Sequence, residues 1–282
     1  MPKLEYKKII SGGCSFTYGN ELSDDEGKTY SKQTWAFRLF ESYNADKGYV
    51  DWDGDLVTNY RCVAAPGSGN TGIARRVFKE ISNVGAENIG CVVVMWSFLS
   101  RYDWAMPRHR DLENTRWTNI SPWDTKMNAE EMHSATANSE PQQAWWKKRR
   151  DLLAKTGVGP FADALYRHAA NQYHEIYLSW KSIVWLQNIL EKRNIPYLFT
   201  LADNSLFYEG MKHHQDEDAL LRHLHAEIDL SKWYFFGERN MGFNQWTILN
   251  EYERATTHPL DKSHKDATIL MLDKFKKVIG GV

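Results

Sequence analysis

Residues Ile89–Trp96 read IGCVVVMW, an apolar run with no charged or alternating polar position. A strand with one face in water alternates apolar and polar residues. An unbroken run instead fits a strand covered on both faces, as the central strand of a parallel sheet is. The run is far too short to span a bilayer. A parallel sheet needs crossover connections, so the rest of the chain must supply further strand–helix units. It does. Ile9 and Ile10 lead into Gly12-Gly13, Leu56–Val63 alternates and leads into Ala64-Ala65-Pro66-Gly67-Ser68-Gly69-Asn70, and Trp96 ends on Ser97. Helical spacing follows at Trp35, Leu39 and Tyr43, and again at Ile73, Val77, Phe78 and Ile81 within 71–81. A long helix is predicted over 162–193, ended by Asn194 and Pro196, then a strand over Tyr197–Ala202 ending on Asp203-Asn204. Further helices are predicted over 215–229 and 265–279. The fold class is α/β, a three-layer α/β/α sandwich around one parallel sheet. Right-handed crossovers bring every strand-end turn to one edge, where ligands bind in open sheets.

The rhythm breaks over 100–160, which is rich in Trp, Pro, Asn, Arg and Glu and weakly periodic. A segment of that length without strong structure marks a lid or an insertion. Residues 1–282 therefore read as a single domain carrying an insertion over 100–160. Within it, Gln142–Leu153 reads as a helix, and its Trp145-Trp146 pair beside basic residues is open to two readings, a solvated basic face or a dock for an acidic partner.

Net charge is −1, with no basic footprint for nucleic acid or an anionic membrane. The amino terminus MPKLEYKK lacks an apolar signal core. Cys14, Cys62 and Cys91 have no paired spacing for a disulfide or zinc, and three reduced thiols are the simplest account. A soluble, cytoplasmic protein is the expectation. Tryptophan is the anomaly: twelve residues suit sugar faces, protein interfaces and cores alike. His213, His214, His223 and His225 lie among Asp216, Glu217, Asp218 and Glu227, but without metal-ligand spacing a solvated polar face is the plainer reading. Gly67-Ser68-Gly69 is no dinucleotide loop, since it lacks G-x-G-x-x-G. No metal or cofactor enters the reading. Asp203, at the strand-end edge, reads either as a ligand-holding group or, more plainly, as a cap for the following segment. Arg101 fits either a substrate carboxylate or phosphate, or a carboxylate of the insertion.

Ser15, in the turn Gly12-Gly13-Cys14-Ser15-Phe16-Thr17, is either a helix cap or a nucleophile held at the sheet edge. Here the residues resemble a family. Gly13-Cys14-Ser15-Phe16-Thr17 is similar to the nucleophile block of the SGNH (GDSL-type) hydrolases, with Cys14 in place of their Asp. Gly67 sits where that family keeps its oxyanion-hole glycine, and Trp96-Ser97 takes the place of its Gly-x-Asn-Asp block. His258-Pro259 followed by His264 resembles the closing His-Pro…His block. The Gly-Cys-Ser-Phe-Thr and Trp96-Ser97…Arg101 forms resemble those of phage-encoded members, for which a virion location is an option. The resemblance implies an SGNH-hydrolase or flavodoxin-like sheet and a serine esterase acting on acyl esters, small-molecule or glycan, O-acetyl groups on sugars included. Ser15 would be the nucleophile and His258 the base, with Ser15, Gly67 and Ser97 forming the oxyanion hole.

Two positions depart from that pattern. The family's triad Asp lies three residues before the histidine, where this chain has Ala255, and its oxyanion Asn is replaced by Ser97. In a serine protease, spoiling the triad Asp costs ~10⁴ in rate and losing one oxyanion donor ~10²–10³. Either other groups compensate, or the chain is a binding or virion structural protein on a hydrolase fold, using its tryptophans for protein contact. Glu251, Glu253 or a backbone carbonyl are candidates to orient His258. A second register, Asp261-Lys262-Ser263-His264, satisfies Asp-x-x-His literally, although His264 matches the family's structural histidine.

Overall fold

The computed structural model describes residues 7–27, 29–45, 59–106, 117–125, 147, 151, 154–207 and 219–280. In chain order they form β1 (Lys8–Gly12), α1 (Ser15–Tyr18), α2 (Trp35–Ala45), β2 (Tyr60–Cys62), α3 (Asn70–Val84), β3 (Ile89–Trp96), β4 (Tyr102–Ala105), β5 (Trp117–Ile120), α4 (Val158–His168), α5 (Gln172–Lys192), β6 (Tyr197–Leu201), α6 (Ala219–Ala226), α7 (Phe243–Leu249) and α8 (Asp261–Gly280). Strands β2-β1-β3-β6, in that order, make one parallel sheet.

The unbroken apolar run of β3 is explained by its two covered faces. Every residue of the strand is buried. Val92, Val94 and Trp96 pack with Ile73, Val77, Ile176, Trp180 and Ile183 of α3 and α5. Cys91, Val93 and Met95 pack with Trp35 and Leu39 of α2 and with Met271 and Phe275 of α8. The result is a three-layer α/β/α sandwich. Its strand order reverses at β1, with β2 on one side and β3 then β6 on the other. Such a reversal opens a crevice beyond the carboxyl ends of the two strands that flank it. Ser15 follows one of those strands and Ser97 the other.

Several expectations are corrected in extent. The second strand is confined to Tyr60–Cys62, and positions 56–58 lie outside the described residues. The helix expected over 162–193 is two, because Asn171 caps α5 by accepting from the His174 N–H at 2.9 Å. An Asn side chain that satisfies a free N–H starts a new helix rather than continuing an old one. The segment 100–160 holds a two-stranded antiparallel sheet, β4 with β5, against which Val158, Ala162 and Leu165 of α4 pack around Tyr102 and Ile120. The short alternation of that pair is too weak to read in isolation. Trp145, Trp146 and the rest of the helix expected over Gln142–Leu153, apart from Lys147 and Asp151, lie outside the described residues, as do His213, His214, Asp216, Glu217 and Asp218. The tryptophan excess divides: Trp35, Trp96 and Trp180 are wholly buried, whereas Trp104, Trp117 and Trp123 are exposed. Among the described residues no helix is long and apolar enough to cross a membrane.

Candidate active site

The turn after β1 is tight for a steric reason: a Cβ at Gly13 would fall 2.2 Å from Thr17 Oγ1. The chain then makes the single helical turn α1, closed by the Gly19 N–H donating to the Ser15 carbonyl at 2.7 Å. Ser15 is 9% exposed, and two residues on, Thr17 Oγ1 is buried with no hydrogen-bond partner among the described residues. Beyond Gly19 the backbone bends through Glu21, at φ 66°. The Glu21 N–H donates to Asp25 Oδ2 at 2.8 Å, which turns its carboxylate toward the carboxyl-terminal loop.

That loop presents His258. Arg254 and Pro259 form an antiparallel bridge, the Ala255 N–H donates to the His258 carbonyl at 2.9 Å, and the Arg254 guanidinium holds Asn244 Oδ1, Thr247 Oγ1 and the Thr257 carbonyl. The imidazole stands at 90° to the ring of Phe16, the residue after Ser15, with centroids 5.2 Å apart. Its Nδ1 lies 2.6 Å from Glu21 Oε2. The same oxygen accepts the backbone N–H groups of Thr257 and His258, each at 3.2 Å. Burial alone would raise the Glu21 pKa; the bond and charge of His258 and the two backbone N–H groups outweigh it and hold the carboxyl at about 2. An ionised carboxylate accepts only, so the Glu21 contact puts a proton on Nδ1 and directs any proton exchange with a substrate to Nε2. Among the described residues no hydrogen bond joins the Ser15 hydroxyl to His258. Catalytic hydrogen bonds are often long without ligand and tighten around substrate.

Glu21 is thus the carboxylate that bonds the His258 imidazole, and sequence reasoning missed it. The candidates named instead, Glu251 and Glu253, do not bond the imidazole. The only signal in the sequence was a carboxylate in the loop after α1; nothing in spacing ties position 21 to position 258. His264 is of another kind. It is buried in α8, its Nδ1 accepts the Trp35 N–H at 3.3 Å, and its ring lies 4.8 Å from that of Phe243. Burial pushes its pKa down to about 3, so it is neutral. Asp261 does not pair with it but accepts the N–H and hydroxyl of Ser23, tying the Glu21 loop to the start of α8. Glu21, Ser23, Glu253 and Asp261 line a cleft of about 370 Å³.

On the other flank, the turn after β2 is pinned to the first by the Ala65 N–H on the Gly13 carbonyl at 3.2 Å. Gly67 has φ 73°, and a Cβ there would meet nothing within 4 Å, so glycine is required for conformation and not for space. Asn70 bonds position 97 on both sides, accepting the Ser97 N–H at 2.7 Å and donating to its carbonyl at 3.3 Å. Ser97 is wholly buried and its Oγ accepts from Arg101 Nη1 at 2.9 Å. The guanidinium lies over the ring of Phe98, 4.6 Å from its centroid, and Phe98 in turn meets Phe16 edge-on at 5.8 Å. Phe98, Ser100, Tyr166, Gln172, Glu175 and Ser205 border a second cavity of about 560 Å³.

The remaining candidates are engaged with other partners. Asp203 Oδ1 accepts the Ser205 N–H at 2.9 Å, the cap expected of it. His225 packs against Trp180 and Phe207, and burial lowers its pKa. Among the described residues no group of three His, Cys, Asp or Glu is placed to hold a metal.

No protein-family model matches the chain, and no curated protein matches it in sequence. Among solved structures it is similar to the esterase EstA from Pseudoalteromonas sp., at 10% identity and TM-score 0.47, over 97% of this chain and 99% of that one. It is also similar to the acetyl xylan esterase Est2A from Butyrivibrio proteoclasticus, at 11% identity and TM-score 0.44, over 98% of this chain and 66% of that one. A third is a GDSL-like lipase from Bacteroides thetaiotaomicron, at 12% identity and TM-score 0.38, over 96% of this chain and 88% of that one. All three scores lie below 0.5, so what the crevice can do is decided by its own side chains.

Proposed function

We propose that the protein is a serine ester hydrolase with Ser15 as nucleophile, His258 as base and Glu21 as the acid that orients it. The observation that carries this reading is the Glu21–His258 pair, set against Phe16 at the sheet edge that bears Ser15. Ser15 Oγ attacks the acyl carbon while its proton passes to His258 Nε2, and Glu21 stabilises the imidazolium that forms. The backbone N–H groups of Ser15 and Gly67 are the donors for the developing oxyanion. His258 returns the proton to the leaving alcohol, and water then repeats the sequence on the acyl-enzyme. Acyl esters are the substrate class, sugar O-acetyl groups included; the exposed Trp104 and Trp123 of the 100–160 insertion offer aromatic surface against which a sugar ring can pack. Purified protein should cleave p-nitrophenyl acetate above a Ser15→Ala control, and equal rates would end this reading.

A second reading, a binding or virion structural protein on the same fold, is favoured by one observation: Ser97 is wholly buried and its oxygen is engaged. A stoichiometric fluorophosphonate adduct on Ser15 would count against it.

A further inference from the structure

We propose that Arg101 supplies the third oxyanion donor, in the place the resembled family fills with an asparagine amide; the proposal rests on the serine-hydrolase reading above. The need is plain from position 97. Ser97 has no exposed surface, and its Oγ already accepts from Arg101 Nη1 at 2.9 Å. The nearby asparagine cannot substitute, since Asn70 spends its amide on the Ser97 carbonyl and on Ser179 Oγ at 3.0 Å. Nor can the neighbouring guanidinium groups. Arg76 is committed to the Val63 carbonyl, Ser68 and Asn119, and Arg75 grips both oxygens of Asp103.

Arg101 is held and uncommitted at once. A Cβ at Gly69 would lie 2.2 Å from the Arg101 carbonyl oxygen, so the backbone of 101 abuts the turn that carries Gly67. Its guanidinium is clamped between Ser97 Oγ and the face of Phe98, which touches Phe16 beside Ser15. Among the described residues no carboxylate lies within ion-pair distance of it, and N–H groups remain beyond the one spent on Ser97. A fixed cation of this kind needs no reorganisation when charge appears. As Ser15 Oγ bonds to the acyl carbon, the carbonyl electron pair moves onto oxygen and meets the N–H groups of Ser15, Gly67 and Arg101. When the bond to the leaving alkoxide breaks, the pair re-forms the carbonyl and the alkoxide takes its proton from His258.

The test is steady-state hydrolysis of p-nitrophenyl acetate by the full chain and by Arg101→Met and Arg101→Lys. Expected for Arg101→Met is a loss of ~10²–10³ in kcat with KM within about threefold, the mark of an interaction made in the transition state. Guanidinium ion at millimolar levels should restore part of that rate, and tetramethylammonium should not. Arg101→Lys keeps the charge without the planar fork and should lose about tenfold in kcat, which decides the matter if the methionine variant does not fold. A raised KM with kcat intact, or a kcat within about threefold of wild type in both variants, overturns the proposal while leaving the hydrolase reading standing. A wild-type protein inert to both the ester and a fluorophosphonate overturns the hydrolase reading and the Arg101 role with it.

Discussion

The two flanks of the crevice are built on opposite plans. On the His258 side the polar groups are bonded to one another: Asp25 positions Glu21, Glu21 fixes the imidazole, and Asp261 holds the loop through Ser23. On the Ser97 side the groups hold the backbone and leave donors to spare. Asn70 clamps position 97, Gly67 takes a left-handed turn, and among the described residues Arg101 keeps N–H groups unengaged. On the serine-hydrolase reading proposed above, the contrast follows the chemistry each flank would do. A proton relay works only if its tautomer is fixed before substrate arrives, so it is built as a closed chain of hydrogen bonds. An oxyanion hole must leave its donors unsatisfied until charge develops.

Predictions that break or sharpen this contrast run from the relay outward. Ser15→Ala and His258→Ala should each reduce ester hydrolysis to near the uncatalysed rate, a loss on the order of 10⁴ or more in kcat/KM. Glu21→Gln keeps the shape but lets the ring take the wrong tautomer; a loss of roughly 10²–10⁴ in kcat is expected, and a drop below about tenfold would detach Glu21 from the relay. Acid unfolding separates the two histidine neighbourhoods. His264 resists protonation until about pH 3 when folded but takes a proton near its ordinary 6.5 when unfolded, so its contribution to stability is complete above 6.5 and lost as pH falls toward 3. Glu21, held at about 2 against an ordinary 4.5, contributes above 4.5 and is lost only as pH falls toward 2. Urea unfolding between pH 7 and 5 should therefore respond to His264→Gln, which flattens the slope, and not to Glu21→Gln. Smallest is Gly67→Ala, which meets open space and should cost only about 1–2 kcal/mol of left-handed backbone strain by urea denaturation.

The parts of this molecule that were legible in the sequence are the ones governed by local pattern. The run Ile89–Trp96 announced the central strand because both its faces are covered, and Ser15, Gly67 and Ser97 could be placed at one edge because strand, turn and helix alternate. Glu21 was not legible. Its partner lies 237 positions away, and the pairing depends on how α1 and the 254–260 loop meet, which no periodicity encodes. The break at Asn171 was missed for a different reason. Apolar residues on either side share one helical phase, and a single capping side chain overrides them. At position 97 the sequence showed a shorter side chain but could not reveal that its oxygen is engaged by Arg101, four residues on.

One experiment bears on the whole account: wild-type protein treated with a fluorophosphonate, followed by intact-mass measurement and peptide mapping. One probe per chain, attached at Ser15 and lost in His258→Ala, is the expected outcome. An unmodified chain, or an adduct that persists at another residue in Ser15→Ala, would contradict it.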